Sequence, residues 1–201
     1  MATIDTIEAL EALYGVPGQP TLAKVTERLT PSQRAWIERS RFCVLSTVGP
    51  EGTDGSPRGD DGPVVRVADD RTLLLPDWRG NNRIDSLRNI IRDGRASLIF
   101  LIPGSNTTMR VNGTATLRTD PELVGGFEKA GKLPRCVIAV QIAEVYPQCA
   151  RALMRAEMWT GGDQAQGLPS TGDMLREASR GDIDGAAYDA AWPERAKTSM
   201  W

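Results

Sequence analysis

The segment Leu75-Pro76-Asp77-Trp78-Arg79-Gly80-Asn81-Asn82-Arg83 concentrates the groups most able to do chemistry. It reads as the end of a strand followed by the start of a helix. The first amides of a helix have no partner within it, and the helix dipole makes that end attractive to anions. Arg79 and Arg83 flank the junction and Asn81 and Asn82 add donors, so the segment can cradle a phosphate. It has none of the glycine-rich fingerprint of a P-loop or a dinucleotide-binding turn, and the same residues also read as an ordinary N-cap with solvated arginines. Arg58, in Ser56-Pro57-Arg58-Gly59-Asp60, is a second candidate, because a neighbouring glycine lets backbone approach a ligand closely. The alternative there is a surface turn with an Asp–Arg pair. Arg110 is a third, mid-strand between Thr108 and Asn112 on a polar face that could meet a ligand or only solvent.

What is missing narrows the chemistry further. The 201 residues include no histidine. Ser-His-Asp hydrolysis, Cys-His proteolysis and His-ligated zinc, copper or haem are therefore excluded. An enzyme built from this sequence uses other acids and bases, or borrows its reactive group from a cofactor. Cys43, Cys136 and Cys149 have no CxxC spacing. Cys43 and Cys136 sit in apolar strands and read as small core residues. Cys149 lies near a helix start, but no second cysteine is close in sequence to make it a redox pair. An odd number of thiols without a basic N-terminal region or secretory signal points to a reducing, cytoplasmic setting. The longest apolar run, 98–102, is far too short to span a bilayer.

The charge is uneven. There are 24 basic and 26 acidic residues, net −2, with a pI near 5.3, which argues against nucleic-acid binding. Five scattered tryptophans (Trp36, Trp78, Trp159, Trp192, Trp201) form no stacking ladder for single strands. Yet between Arg58 and Arg118, ten arginines against seven aspartates leave a local charge of +3. Arginine suits bidentate recognition of phosphate and carboxylate, although codon bias also enriches it.

The elements that must position these residues are mostly strands. Residues 42–48, 56–59, 64–67 and 72–75 are short, rich in β-branched residues and separated by turns, which predicts an antiparallel meander or barrel. Residues 82–93 have helical period, with Ile84, Leu87 and Ile91 on one face and Asn82/Asp85 resembling a capping box. Strands follow at 95–102, at 107–117 with Met109, Val111, Ala115 and Leu117 on one face, and at 136–146. Thr30-Pro31 predicts an N-cap and first helical position. The chain divides into N-terminal helices packing on a barrel (1–40), the barrel (41–160), and a linker with a helical tail (161–201).

In series, Ser56-Pro57-Arg58-Gly59-Asp60, Leu75-Pro76-Asp77, Asn81-Asn82-Arg83-Ile84-Asp85-Ser86-Leu87-Arg88-Asn89, Phe100-Leu101-Ile102-Pro103-Gly104 and Met109-Arg110-Val111-Asn112-Gly113 resemble the pyridoxamine 5′-phosphate oxidase-like FMN-binding split-barrel superfamily. The resemblance implies a mainly β fold with flanking helices, a six-stranded antiparallel split β-barrel. It also implies a homodimer with FMN at the interface and a small-molecule redox substrate. It places Asn82 and Arg83 at the phosphate, beside Asn81, and the backbone of Leu75 and Pro76 along the isoalloxazine. Arg58 would lie near the flavin, as the cation that stabilises its reduced anion, and Arg110 would be a further basic contact. The oxidase's C-terminal segment with Arg and His is absent, so the expected function is FMN-dependent oxidoreduction other than pyridoxamine phosphate oxidation. The alternatives are a non-catalytic flavin-binding or flavin-sensing protein and a deazaflavin-binding relative.

Overall fold

The computed structural model describes residues 2–200; Met1 and Trp201 lie outside the described residues. Strands β1 (Phe42–Gly49), β2 (Gly52–Gly59), β3 (Arg66–Val67), β4 (Thr72–Asp77), β5 (Arg95–Leu101), β6 (Thr108–Arg118) and β7 (Cys136–Gln148) form one antiparallel sheet in the order β2-β1-β5-β6-β7-β4-β3. The sheet has seven strands rather than six, the extra one being the two-residue β3 paired with Leu73 and Leu74. Val64 and Val65, expected within a strand, instead plug the core from a loop, each 2% exposed.

Alternation puts Cys43 and Leu45 of β1, Leu98 and Phe100 of β5, Val111 of β6, and Ile138, Val140 and Ile142 of β7 on the inward face. Each fully buried aliphatic contributes on the order of 2 kcal/mol. β4 is buried from Leu73 to Asp77 on both faces, which matches its unbroken Leu-Leu-Leu run. The edge strands β2 and β3 share no ladder. Arg58 of β2 nonetheless bonds Asp77 of β4, so the sheet curls until its two ends meet through side chains. The result is a split barrel.

Helix α4 (Asp85–Arg92) packs on β1, but of the face its hydrophobic spacing suggested only Leu87 packs against the core. Ser86, Asn89 and Ile90 are buried, whereas Ile91 is 75% exposed and Ile84 47%. Polar bonds decide this orientation: Ser86 donates to Asp54, and Asn89 Nδ2 to Thr47 Oγ1 at 3.2 Å. Among the N-terminal helices, α1 (Ile7–Tyr14) and α2 (Gln19–Ala23) bury no residue, while α3 (Pro31–Ile37) buries Gln33 and Ile37 behind a Thr30 capping box. The remaining helices are short α5 (Pro121–Gly125) and α6 (Arg151–Arg155), then α7 (Thr171–Ala178) and α8 (Gly185–Ser199), which pack on each other. No helix among the described residues is long and apolar enough to cross a membrane.

Between β6 and β7, Asn112 faces Glu144 and Gly113 faces Ile142, so Ala143 is an extra residue in β7. A Cβ on Gly113 would lie 1.9 Å from the Gln141 carbonyl oxygen, which is backbone and cannot yield cheaply. Gly113→Ala is therefore expected to cost about 3 kcal/mol in urea unfolding. Gly55→Ala, whose Cβ meets nothing within 4 Å, is expected to stay within about 0.5 kcal/mol of the parent.

Candidate functional site

A cleft of about 770 Å³ opens where the two ends of the sheet meet. One wall is β2 from Asp54 to Gly59 with Asp60 beyond it. The other is the end of β4, the connection into α4, and Arg135-Cys136 at the start of β7. Arg58, Leu75, Pro76, Asn81, Asn82 and Arg83, six of the seven residues singled out in the sequence, line this cleft together, as does Arg79. Arg110 does not. It lies on β6, level with Ile99 on one side and Tyr146 on the other.

The arginine of β2 and the aspartate of β4 form the pair at the centre. Arg58 Nη1 donates to Asp77 Oδ1, with only 18% and 12% of the two side chains exposed. Arg58 Nε is buried with no acceptor. Two thiols flank the pair. Burial pushes the Cys43 thiol up to about 12, with the Arg58 charge pulling the other way. Burial also raises Cys136, the Asp77 carboxylate adds to the rise, and Arg58 opposes it. Both therefore stay neutral thiols at ordinary pH.

The β4–α4 connection is bent, and α4 begins later than its sequence suggests. Asn82 (φ 61°) and Ile84 (φ 55°) are both left-handed, so the helix starts at Asp85 rather than near Asn82. Asn tolerates that region, whereas a β-branched residue there is strained. The expected Asn82/Asp85 capping box does not form. Asp85 instead accepts from Arg83 Nε at 2.9 Å, and Asn81 Oδ1 accepts from the Arg83 N–H at 3.1 Å. No side chain caps α4, so its first-turn amides are left to the cleft.

Charge around the cleft is largely committed. Arg58 pairs with Asp77, Arg83 with Asp85, and Asp60 with Lys129 from outside. Trp78 Nε1 also donates to Asp60 Oδ2, at 3.3 Å. Among the described residues Arg79 and Arg135 have no such carboxylate partner, and both are exposed at the cleft. Asp54 is held by the Ser86 hydroxyl on the opposite side. Among the described residues no three His, Cys, Asp or Glu side chains gather as metal ligands.

Sequence reasoning missed Arg135, Asp77 and the Asp54–Ser86 bond. Arg135 carries no local signal, since only the Asp77–Cys136 register brings it to the cleft. A charged residue closing the apolar run of β4 was a usable signal for Asp77, because a buried charge requires a partner.

The pyridoxamine 5′-phosphate oxidase family model matches residues 29–149, more than half of the chain, and the chain belongs to that family. Its split-barrel sheet and the cleft both fall within the matched region. Among solved structures it is similar to HupZ of Group A Streptococcus, at 17% identity over 59% of this chain and 93% of that one, with a TM-score of 0.49. An FMN-binding protein from Syntrophomonas wolfei is 13% identical over 71% of this chain and 97% of that one, TM-score 0.45. A FAD binding protein from Mycobacterium smegmatis is 13% identical over 61% and 97%, TM-score 0.43. No curated protein matches the sequence.

Asp77→Ala is expected to destabilise the fold by about 3 kcal/mol in urea unfolding, because it strands a buried guanidinium. The double variant Arg58→Met/Asp77→Leu is expected to recover most of that loss. A native thiol titration at mildly alkaline pH is expected to reach exposed Cys149 only, with Cys43 and Cys136 reacting after denaturation.

Proposed function

We propose that this protein binds FMN in the cleft between β2, β4 and α4, and uses it as an oxidoreductase on a small-molecule substrate. The observation that carries the reading is the convergence of an uncapped helix end, unpaired Arg79 and an orphaned Arg58 N–H on one cleft. Family membership supports it. Arg79, Arg83, Asn81, Asn82 and the first amides of α4 would hold the phosphate. Leu75 and Pro76 would lie along the ring. Arg58 Nε–H would donate to a ring acceptor, and its charge, tempered by Asp77, would favour added electron density there. The residues present therefore fit a phosphorylated flavin. Bound flavin supplies the hydride or electron transfer that a chain without histidine lacks.

The reading keeps the family's flavin but not pyridoxamine phosphate as substrate, since the Arg-and-His segment expected of that oxidase is missing. A homodimer is part of the proposal. A second copy would cover the cleft and close it against water.

The purified protein is expected to be yellow and to release FMN on denaturation. NADH or NADPH should bleach it, with air restoring the colour; a flavin that no reductant bleaches would point to a binding protein instead. Arg83→Ala is expected to weaken FMN binding by about 2 kcal/mol, roughly 30-fold, in a fluorescence-quenching titration. Full flavin occupancy of Arg83→Ala at limiting FMN would place the phosphate elsewhere.

A further inference from the structure

Lys24, Arg110 and Tyr146 meet on β6 and β7, at a place that is not part of the cleft. Register sets Arg110 beside Tyr146, and Arg110 Nη1 donates to Tyr146 Oη at 3.3 Å. The chain ahead of α3 runs back along β7, where Thr26 and Val145 exchange backbone hydrogen bonds. That pairing sets Lys24 Nζ 5.7 Å from the centroid of the Tyr146 ring. Two cations thus share one phenol, and neither has a carboxylate within 4.0 Å among the described residues. The carboxylate two positions along β7, Glu144, is taken by Asn112 Nδ2 at 2.6 Å. Arg110 Nε, like Arg58 Nε in the cleft, is buried without an acceptor.

We propose that this cluster is a second anion site, taking an oxyanion of the phosphate or carboxylate type. The groups gathered there are almost all donors. Lysine and arginine offer no acceptor, and Tyr146, which accepts from Arg110, still has its own proton to give. Two positive charges on one phenol have no carboxylate to offset them, and a buried N–H without an acceptor is unfavourable. A group with several lone pairs and a negative charge relieves both at once, and arginine's planar fork suits phosphate and carboxylate. A neutral ligand would leave the two charges uncompensated, and a cation would add to them. The oxyanion can arrive as a free small anion, or as a phosphate or carboxylate group carried by a second copy of the chain.

Resting on the proposed cofactor only to keep the cleft filled, the test compares thermal melts of the full-length protein at saturating FMN in inorganic phosphate and in chloride at equal ionic strength. The variants are Arg110→Gln, Lys24→Met and, as a cleft control, Arg83→Ala, with sedimentation velocity on each. For a free anion, phosphate raises Tm by about 3 °C in wild type and Arg83→Ala. Arg110→Gln loses that rise, and Lys24→Met needs roughly tenfold more phosphate for it. For a group on a second copy, phosphate does nothing, and Arg110→Gln and Lys24→Met both shift a wild-type dimer toward monomer. Variants that match wild type in both phosphate response and sedimentation would overturn the proposal. So would loss of bound flavin in Arg110→Gln with the phosphate response intact, which would make Arg110 a cofactor contact. Should Arg110→Gln fail to fold, Lys24→Met decides alone, by the same outcomes.

Discussion

A sheet whose edge strands do not pair must be closed by something other than backbone hydrogen bonds, and here the buried link is the Arg58–Asp77 ion pair. β2 and β3 lie at opposite ends of the strand order, and the curl of the sheet brings β2 against the end of β4. Burying two charges is costly, and their attraction offsets that cost only with good geometry and full hydrogen bonding. Asp77 is engaged, but Arg58 keeps one buried N–H unbonded. The closure is thus energetically incomplete where the cleft opens. Removing either partner alone would leave a buried charge with no compensation, so neither residue can be lost singly without strain on the fold.

Around that junction the structure commits its polar groups one after another. Asp60, just beyond β2, is held by Trp78 from the β4 side and by Lys129 from the connection ahead of β7. Ser86 ties the first turn of α4 to Asp54 at the other end of the same stretch of β2. The strand between Asp54 and Arg58 spans about 13 Å at ordinary strand rise. Both ends of the cleft are therefore pinned, while the exposed Arg79, Asn81 and Asn82 between them remain available. The cleft thus combines a fixed frame with uncommitted donors.

Much of the fold was legible from period-2 alternation. The clean in–out pattern of β6 and the apolar runs of β4 and β5 placed most strands within a residue or two of where they lie. The start of α4 was not legible, because left-handed Asn82 and Ile84 delay it and nothing in the sequence requires an isoleucine to adopt that conformation. Of its expected face only Leu87 packs on the core, for a related reason: Ser86 and Asn89 point inward to satisfy Asp54 and Thr47, and hydrophobic spacing cannot see a hydrogen-bonded interior. The residues of the 75–83 segment line the cleft together, as their closeness in sequence suggests. Arg135 and Asp54 were not legible, since only long-range register brings them in. Arg110 was placed with the flavin on resemblance, and its own protomer keeps it outside the cleft.

The proposed site recognises a flavin through its phosphate. An equilibrium titration of flavin-free protein with FMN and with riboflavin, which differ only in that phosphate, tests it directly. FMN is expected to bind at least about tenfold more tightly, as one or two charge-assisted contacts require. Equal affinity for the two flavins, or none for either, would contradict it.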